Sequence, residues 1–366
     1  MKSELSEIGR KVEAGERLSD GDALALYRSR DLLSVGEMAQ LANRRVNGDR
    51  VHFIVNRHIN PTNICVNRCR FCAFSKSKEE PLAYTMTMEE ILRRAQEAQE
   101  QKATEIHIVG GLHPDLPFDF YLGMLRALRE RHPSLHIQAF TAVEIDYFAQ
   151  ISGLPLADVI GRLKDAGLGS LPGGGAEIFA PEVRNEICPE KISGDRWLEV
   201  MEAVHAAGLK SNATMLYGHV ETLESRVDHM RRLRELQDRT GGFQSFIPLA
   251  FHPANTDIEK AGTTGVDDLL ALAVGRLYLD NFRHVKAFWI NIGPKLAQVS
   301  LHFGVDDIDG TVVEEKISHA AGASTGQEMT VGDLVAMIRQ AGRIPVERDT
   351  LYNVVREWLP EGPAAC

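Results

Sequence analysis

Cys65, Cys69 and Cys72 stand within eight residues at the spacing C-x3-C-x2-C. Three thiolates on one tight loop can converge on a metal or an inorganic cluster without help from distant parts of the chain. A structural zinc site closes with four protein ligands, and neither His58 nor His113 completes one at a usual spacing. A cubane iron–sulfur cluster held by three cysteines leaves one iron open. An open iron is a place for a substrate or cofactor to bind. Phe71, just before the third cysteine, offers a face on which a flat base can pack. Cys188 and Cys366 stand alone and read as structural or incidental.

The segment that must position this loop is VHFIVNRHINPTNI, whose β-branched content predicts a strand running into the cysteines. Beyond it the pattern alternates. TMEEILRRAQEAQEQ reads as an amphipathic helix, EIHIV as a strand, FDFYLGMLRALRERH as a helix and LHIQAF as a strand, and the rhythm continues to VKAFWINI, read as a further strand. Strands separated by helices imply parallel pairing with right-handed crossovers, hence an α/β fold built as a (β/α) barrel or partial barrel. The boundaries expected are a helical extension over 1–50, a barrel core over 51–325 and a C-terminal helical extension over 326–366. The first helices are expected to start at Ser19 and Ser34, which resemble capping residues.

Parallel barrels carry their active sites on the loops that follow the strands. The polar and glycine-rich segments fall there: Gly110-Gly111-Leu112-His113, Thr141 to Glu144, Leu171 to Glu177, Tyr217-Gly218-His219 and Phe251 to Thr256. Glu144 also fits a carboxylate at a helix N-terminus. The run Gly173-Gly174-Gly175 lacks the Lys-Ser/Thr that would make it a phosphate loop. His219 and His302 read as structural.

The 366 residues carry 41 Lys+Arg against 51 Asp+Glu, a net charge of -10, which argues against binding a phosphate backbone. No apolar run approaches the roughly 18 residues of a membrane helix, and the first residues lack the apolar stretch of a signal peptide. A cytoplasmic enzyme acting on small molecules, without nucleic acid or membrane partners, is the expectation.

Cys65-Val66-Asn67-Arg68-Cys69-Arg70-Phe71-Cys72 resembles the signature of the radical S-adenosylmethionine (SAM) superfamily. The resemblance implies a full or partial (β/α) barrel, a 4Fe-4S cluster on the three cysteines, and SAM chelating the open iron and cleaved to a 5'-deoxyadenosyl radical. It implies that Gly110 and Gly111 lie against the methionyl ammonium, and that Glu144 and Glu177 accept hydrogen bonds from the ribose or that ammonium. It also implies a low-potential electron donor such as flavodoxin or ferredoxin. From about Arg50 to Asn353 the chain is similar to the group holding menaquinone-pathway enzymes and deazaflavin-cofactor synthases.

Within that group the run from Phe246 to Thr256 most resembles the aminofutalosine-forming branch, and the segments Glu314 to Ala323 and Glu347 to Asn353 fit the same group. The substrate implied is 3-[(1-carboxyvinyl)oxy]benzoate, to which the adenosyl radical adds, with aryl migration and loss of carbon dioxide. Its two carboxylates need donors, for which His252, Asn255, Thr256, Asn291 and Arg57 are candidates, the first three being the catalytic candidates. Phe251, Phe288, Trp289 and Ile290 are candidates for a dry wall around the radical. A hydrogen-abstracting cyclising relative, and a non-catalytic iron–sulfur or zinc protein, are the competing readings.

Overall fold

The computed structural model describes residues 2–359. The segment expected to be one strand is two, β1 (Arg50–Ile54) and β2 (Asn56–Ile59), interrupted at Val55. β2 opens a seven-stranded parallel sheet that runs in chain order through β3 (Glu105–Ile108), β4 (His136–Ala139), β5 (Ser170–Leu171), β6 (Lys210–Tyr217), β7 (Phe243–Ala250) and β8 (His284–Val285). The segment beginning with β9 (Asp307–Gly310) joins its two edges. Lys286 pairs with Asp307 and Arg57 with Val313, both in parallel. Ala287 N–H donates to Asp307 O (2.8 Å) and His58 N–H to Val313 O (3.0 Å). The sheet thus closes into a barrel, the full form of the expected architecture. β1 and β9 also belong to a smaller sheet with β10 (Ile344–Arg348) and β11 (Val354–Glu357), in the order β11-β10-β1-β9.

The helices covering the barrel follow local sequence. In Met88–Glu100, Thr87 and Glu90 exchange a reciprocal cap, while Ile91, Leu92, Ala95 and Ala98 form one buried stripe. The N-terminal helices Lys2–Ala14, Asp20–Arg28 and Leu32–Asn47 pack outside the barrel, beside helices Leu223–Thr240 and Gly265–Tyr278. Arg17 donates to Asp238 and Asp280, and Arg234 Nη1 donates to Leu18 O at 2.9 Å. Ser19 caps as expected. The third helix starts earlier than expected, capped by Asp31, whose carboxylate accepts from Ser34 N–H.

Two expectations change. VKAFWINI is not one strand: β8 is short, and Trp289–Ile292 forms a helical turn whose indole N–H donates to Gly310 O at 2.8 Å. The described part of 326–366 is not purely helical. After helix Val331–Gln340 the alternating Ile344 and Val346 build β10, which pairs in parallel with β1, and β11 folds back antiparallel. Cys366 lies outside the described residues.

Buried ion pairs plug the barrel end opposite the cysteine loop. Arg348 Nε donates to Asp307 Oδ2 at 2.6 Å, and Asp306 is held by Arg276 and by His284 Nδ1. Among the described residues no helix is long and apolar enough to cross a membrane.

Candidate active site

A cavity of about 320 Å³ opens where the barrel strands end. The cysteine loop leaves β2 as one wall, and the loops after β3, β4, β5, β7 and β8 supply the others. Cys65, Cys69, Cys72 and Phe71 all line it. The loop is pinned by its backbone: Cys72 N–H donates to Cys69 O (2.9 Å), Cys65 N–H to Lys76 O (3.1 Å) and Arg70 N–H to Ile187 O (2.8 Å).

Gly110 and Gly111 also line the cavity, and the physical demand on Gly111 is local. A Cβ there would lie 2.2 Å from the carbonyl oxygen of Ile64, so only glycine lets the end of β3 pass the root of the cysteine loop. Gly110 N–H donates to Glu144 Oε1 at 3.2 Å. Glu144 Oε2 accepts from Thr141 N–H at 2.7 Å, closing a capping box on helix Ala142–Ser152. The carboxylate therefore caps a helix and faces the cavity at once. Burial pushes it up to about 7, against the hydrogen bonds from Thr141 and Gly110.

Glu177, on a left-handed backbone at φ 48°, accepts from Lys191 Nζ at 2.7 Å. Burial, the largest single influence, would raise its pKa; the charge and hydrogen bond of Lys191, together with the nearby Arg184 and His219, hold it below the ordinary range. Lys191 also sits 5.1 Å from the centre of the Phe71 ring. Nothing in its sequence neighbourhood marked this lysine, which reaches the cavity from the segment between two helices. Cys188, which reads from the sequence as structural or incidental, is buried, and its interaction with Cys69 pushes the Cys69 thiol up and its own down.

Of the donors expected for the carboxylates, most are spent elsewhere. His252 lines the cavity, but its Nε2–H donates to Asn291 O at 3.0 Å, and burial keeps the ring neutral, leaving Nδ1 as an acceptor. The Asn291 amide, also on the wall, donates to Ser318 Oγ at 3.2 Å. Asn255 is not on the cavity wall; its amide donates to Ala320 O at 3.0 Å. Thr256 is absent from the wall too and donates to Pro253 O at 2.8 Å. Arg57 faces outward, paired with Glu97 (2.7 Å) and Glu314 (3.0 Å). Phe251 and Phe288 line the cavity, whereas Trp289 and Ile290 are buried in a separate apolar cluster. His219 is buried beside Glu221 with Nε2 donating to Leu216 O, as a structural histidine does.

The thiols fit an iron–sulfur cluster. Burial raises the pKa of Cys65 and Cys72, and the hydrogen bond to Cys188, then burial, raises that of Cys69. Half-buried thiols whose acidity is depressed become thiolates readily beside a strong positive centre such as iron. His113 does not line the cavity, and its Nδ1 accepts from Asp115 N–H at 3.1 Å, so it adds no fourth ligand.

A closed α/β barrel with three thiols converging at the C-terminal ends of its strands is the architecture of a radical SAM enzyme. The description "Radical SAM superfamily" matches residues 59–233 and "CofH/MqnC C-terminal region" matches residues 240–361. The chain is 48% identical over 359 residues to aminodeoxyfutalosine synthase of Thermus thermophilus, covering 97% of this chain and 96% of the relative. It is 42% identical over 348 residues to a 5-amino-6-(D-ribitylamino)uracil–L-tyrosine 4-hydroxyphenyl transferase of Methanopyrus kandleri, covering 93% and 94%. The solved FeFe-hydrogenase maturase HydG of Carboxydothermus hydrogenoformans shares the fold, with a TM-score of 0.73, 18% identity and coverage of 96% of this chain and 81% of that one. The chain belongs to the radical SAM superfamily and is a radical SAM enzyme. Membership implies a 4Fe-4S cluster and SAM.

Proposed function

We propose that the protein joins the 5'-deoxyadenosyl group of SAM to the enol-ether carbon of 3-[(1-carboxyvinyl)oxy]benzoate. Aryl migration and decarboxylation follow, giving aminofutalosine for menaquinone biosynthesis. The observation that carries this reading is the near-full-length likeness to aminodeoxyfutalosine synthase. Cys65, Cys69 and Cys72 would hold the cluster. When bound, it supplies the electron, taken from a low-potential donor such as flavodoxin or ferredoxin, that cleaves the SAM sulfonium.

The remaining work belongs to the chain itself. Glu144 and Glu177 present carboxylate oxygens to the hydroxyls and ammonium of SAM, with Lys191 fixing the orientation of Glu177. Gly110 and Gly111 keep the strand end close to the cysteine loop. Phe71 offers its face to the adenine. Leu112, Val143, Leu249, Phe251 and Phe288 form the apolar wall that excludes water while the reacting carbons are held together. With Nε2 committed to Asn291 O, His252 presents Nδ1 to the substrate as a hydrogen-bond acceptor and does not hold a carboxylate.

The test is a substrate choice. Reduced, cluster-loaded protein with SAM is offered the enol ether in one reaction, and tyrosine with 5-amino-6-(D-ribitylamino)uracil in another. Consumption of the enol ether alone is expected. Consumption of tyrosine would place the chain with the transferase relatives instead.

A further inference from the structure

Parallel pairing places His58 of β2 beside His107 of β3, His107 beside Gln138 of β4, and Gln138 beside Ser170 of β5. Strand alternation explains the direction: Arg57 points out to the helix residue Glu97, so its neighbour His58 points into the barrel. The His58 and His107 rings stack with centroids 4.3 Å apart and planes 4° from parallel, and both line the cavity. They form its inner end, below the cysteine loop. His58 is 9% exposed, and its Nε2 is buried without a hydrogen-bond partner. A buried imidazole nitrogen left unpaired costs free energy unless a ligand completes it. Asp309, also on the cavity wall, faces Lys286 at 3.4 Å, so this pair adds no net charge at the inner end.

Resting on the function proposed above, we infer that His58, braced by His107, positions the substrate by hydrogen-bonding its ring carboxylate. The reactive vinyl carbon must face SAM beside the cysteine loop. The ring carboxylate, at the other end of a rigid aryl group, then reaches into the barrel where the imidazoles stand. The donors expected from the sequence are bound to other groups or lie off the wall, whereas His58 is uncommitted. His58 is thus a positioning residue. It holds the substrate and takes no part in bond making.

The experiment compares parent and His58→Phe enzyme, both cluster-loaded, on two compounds: the enol ether and 2-phenoxyacrylate, which lacks only the ring carboxylate. Phenylalanine keeps the ring and its stacking but removes the nitrogens. The expected result is a rise of about 10-fold or more in KM for the enol ether, with no change in KM for SAM. On 2-phenoxyacrylate, parent and variant should have the same KM. His58→Ala provides the same comparison if the larger ring disturbs folding. Equal KM rises on both compounds, or no rise on either, overturn the assignment alone. A parent enzyme that neither binds nor converts the enol ether overturns the functional proposal, and this assignment with it.

Discussion

Glu177 and Lys191 form a buried ion pair on the cavity wall, with Nζ 2.7 Å from Oε1, beside the cysteine loop. Lys191→Met leaves the Glu177 carboxylate buried and uncompensated, and is expected to cost about 3 kcal/mol in urea unfolding. Adding Glu177→Gln to that variant should recover part of the loss. The pair also sets an acid response. Because the folded state holds Glu177 below its ordinary 4.5, the pair's contribution is complete above that value and is lost as pH falls through the folded pKa. The double variant loses this acid sensitivity; an unchanged acid transition contradicts the pairing.

Glu144 has the opposite sign. Its folded pKa of about 7 lies above the ordinary 4.5, so the folded state keeps a proton that the unfolded chain releases between those values. Stability from this group is complete below pH 4.5 and falls as pH rises toward 7. Without SAM, Glu144→Gln should flatten that fall, so that the Tm difference between variant and parent moves in the variant's favour from pH 5 to pH 8. A constant difference contradicts the shift.

Cys69 and Cys188 shift each other's acidity, yet only Cys69 lines the cavity. Cys69→Ala should abolish both the cluster absorption and turnover. Cys188→Ser should reconstitute with the same iron content per chain as the parent. Turnover by Cys69→Ala would refute its role as a ligand, and loss of iron in Cys188→Ser would bring the fourth thiol into the site.

The Arg348–Asp307 pair belongs to the barrel floor plug, not to the chemistry. Arg348→Met strands a buried carboxylate and is expected to lower stability by about 3 to 5 kcal/mol while leaving KM for SAM unchanged. Differential scanning and steady-state kinetics on the same preparation read the two effects separately.

What was legible in the sequence was contiguous. The cysteine loop, Phe71 and the Gly110-Gly111 turn carry their arrangement in adjacent residues, and all reach one cavity. Alternating strands and helices also announced the barrel, because each helix buries one stripe against its own neighbouring strands. Which of the polar side chains offered as carboxylate donors reach the cavity was not legible. Asn255 turns to a carbonyl 65 residues away, and Thr256 folds back on its own loop. Arg57 turns outward and His58 enters the barrel because strand register, not residue type, decides which of two adjacent side chains faces the interior. Lys191 reaches the site from a connection with no local signature. The aromatic wall was half legible: Phe288 faces the cavity, but the chain then turns helical and carries Trp289 away.

Transfer of the adenosyl group is the central claim, and isotopic label tests it most directly. SAM carrying carbon-13 at the ribose 5' position is incubated with reduced, cluster-loaded protein and 3-[(1-carboxyvinyl)oxy]benzoate, and the nucleosides are resolved by mass spectrometry. The label is expected within an adenosyl–aryl product from which carbon dioxide has been lost. Label found solely in free 5'-deoxyadenosine, with the enol ether unconsumed, would contradict it.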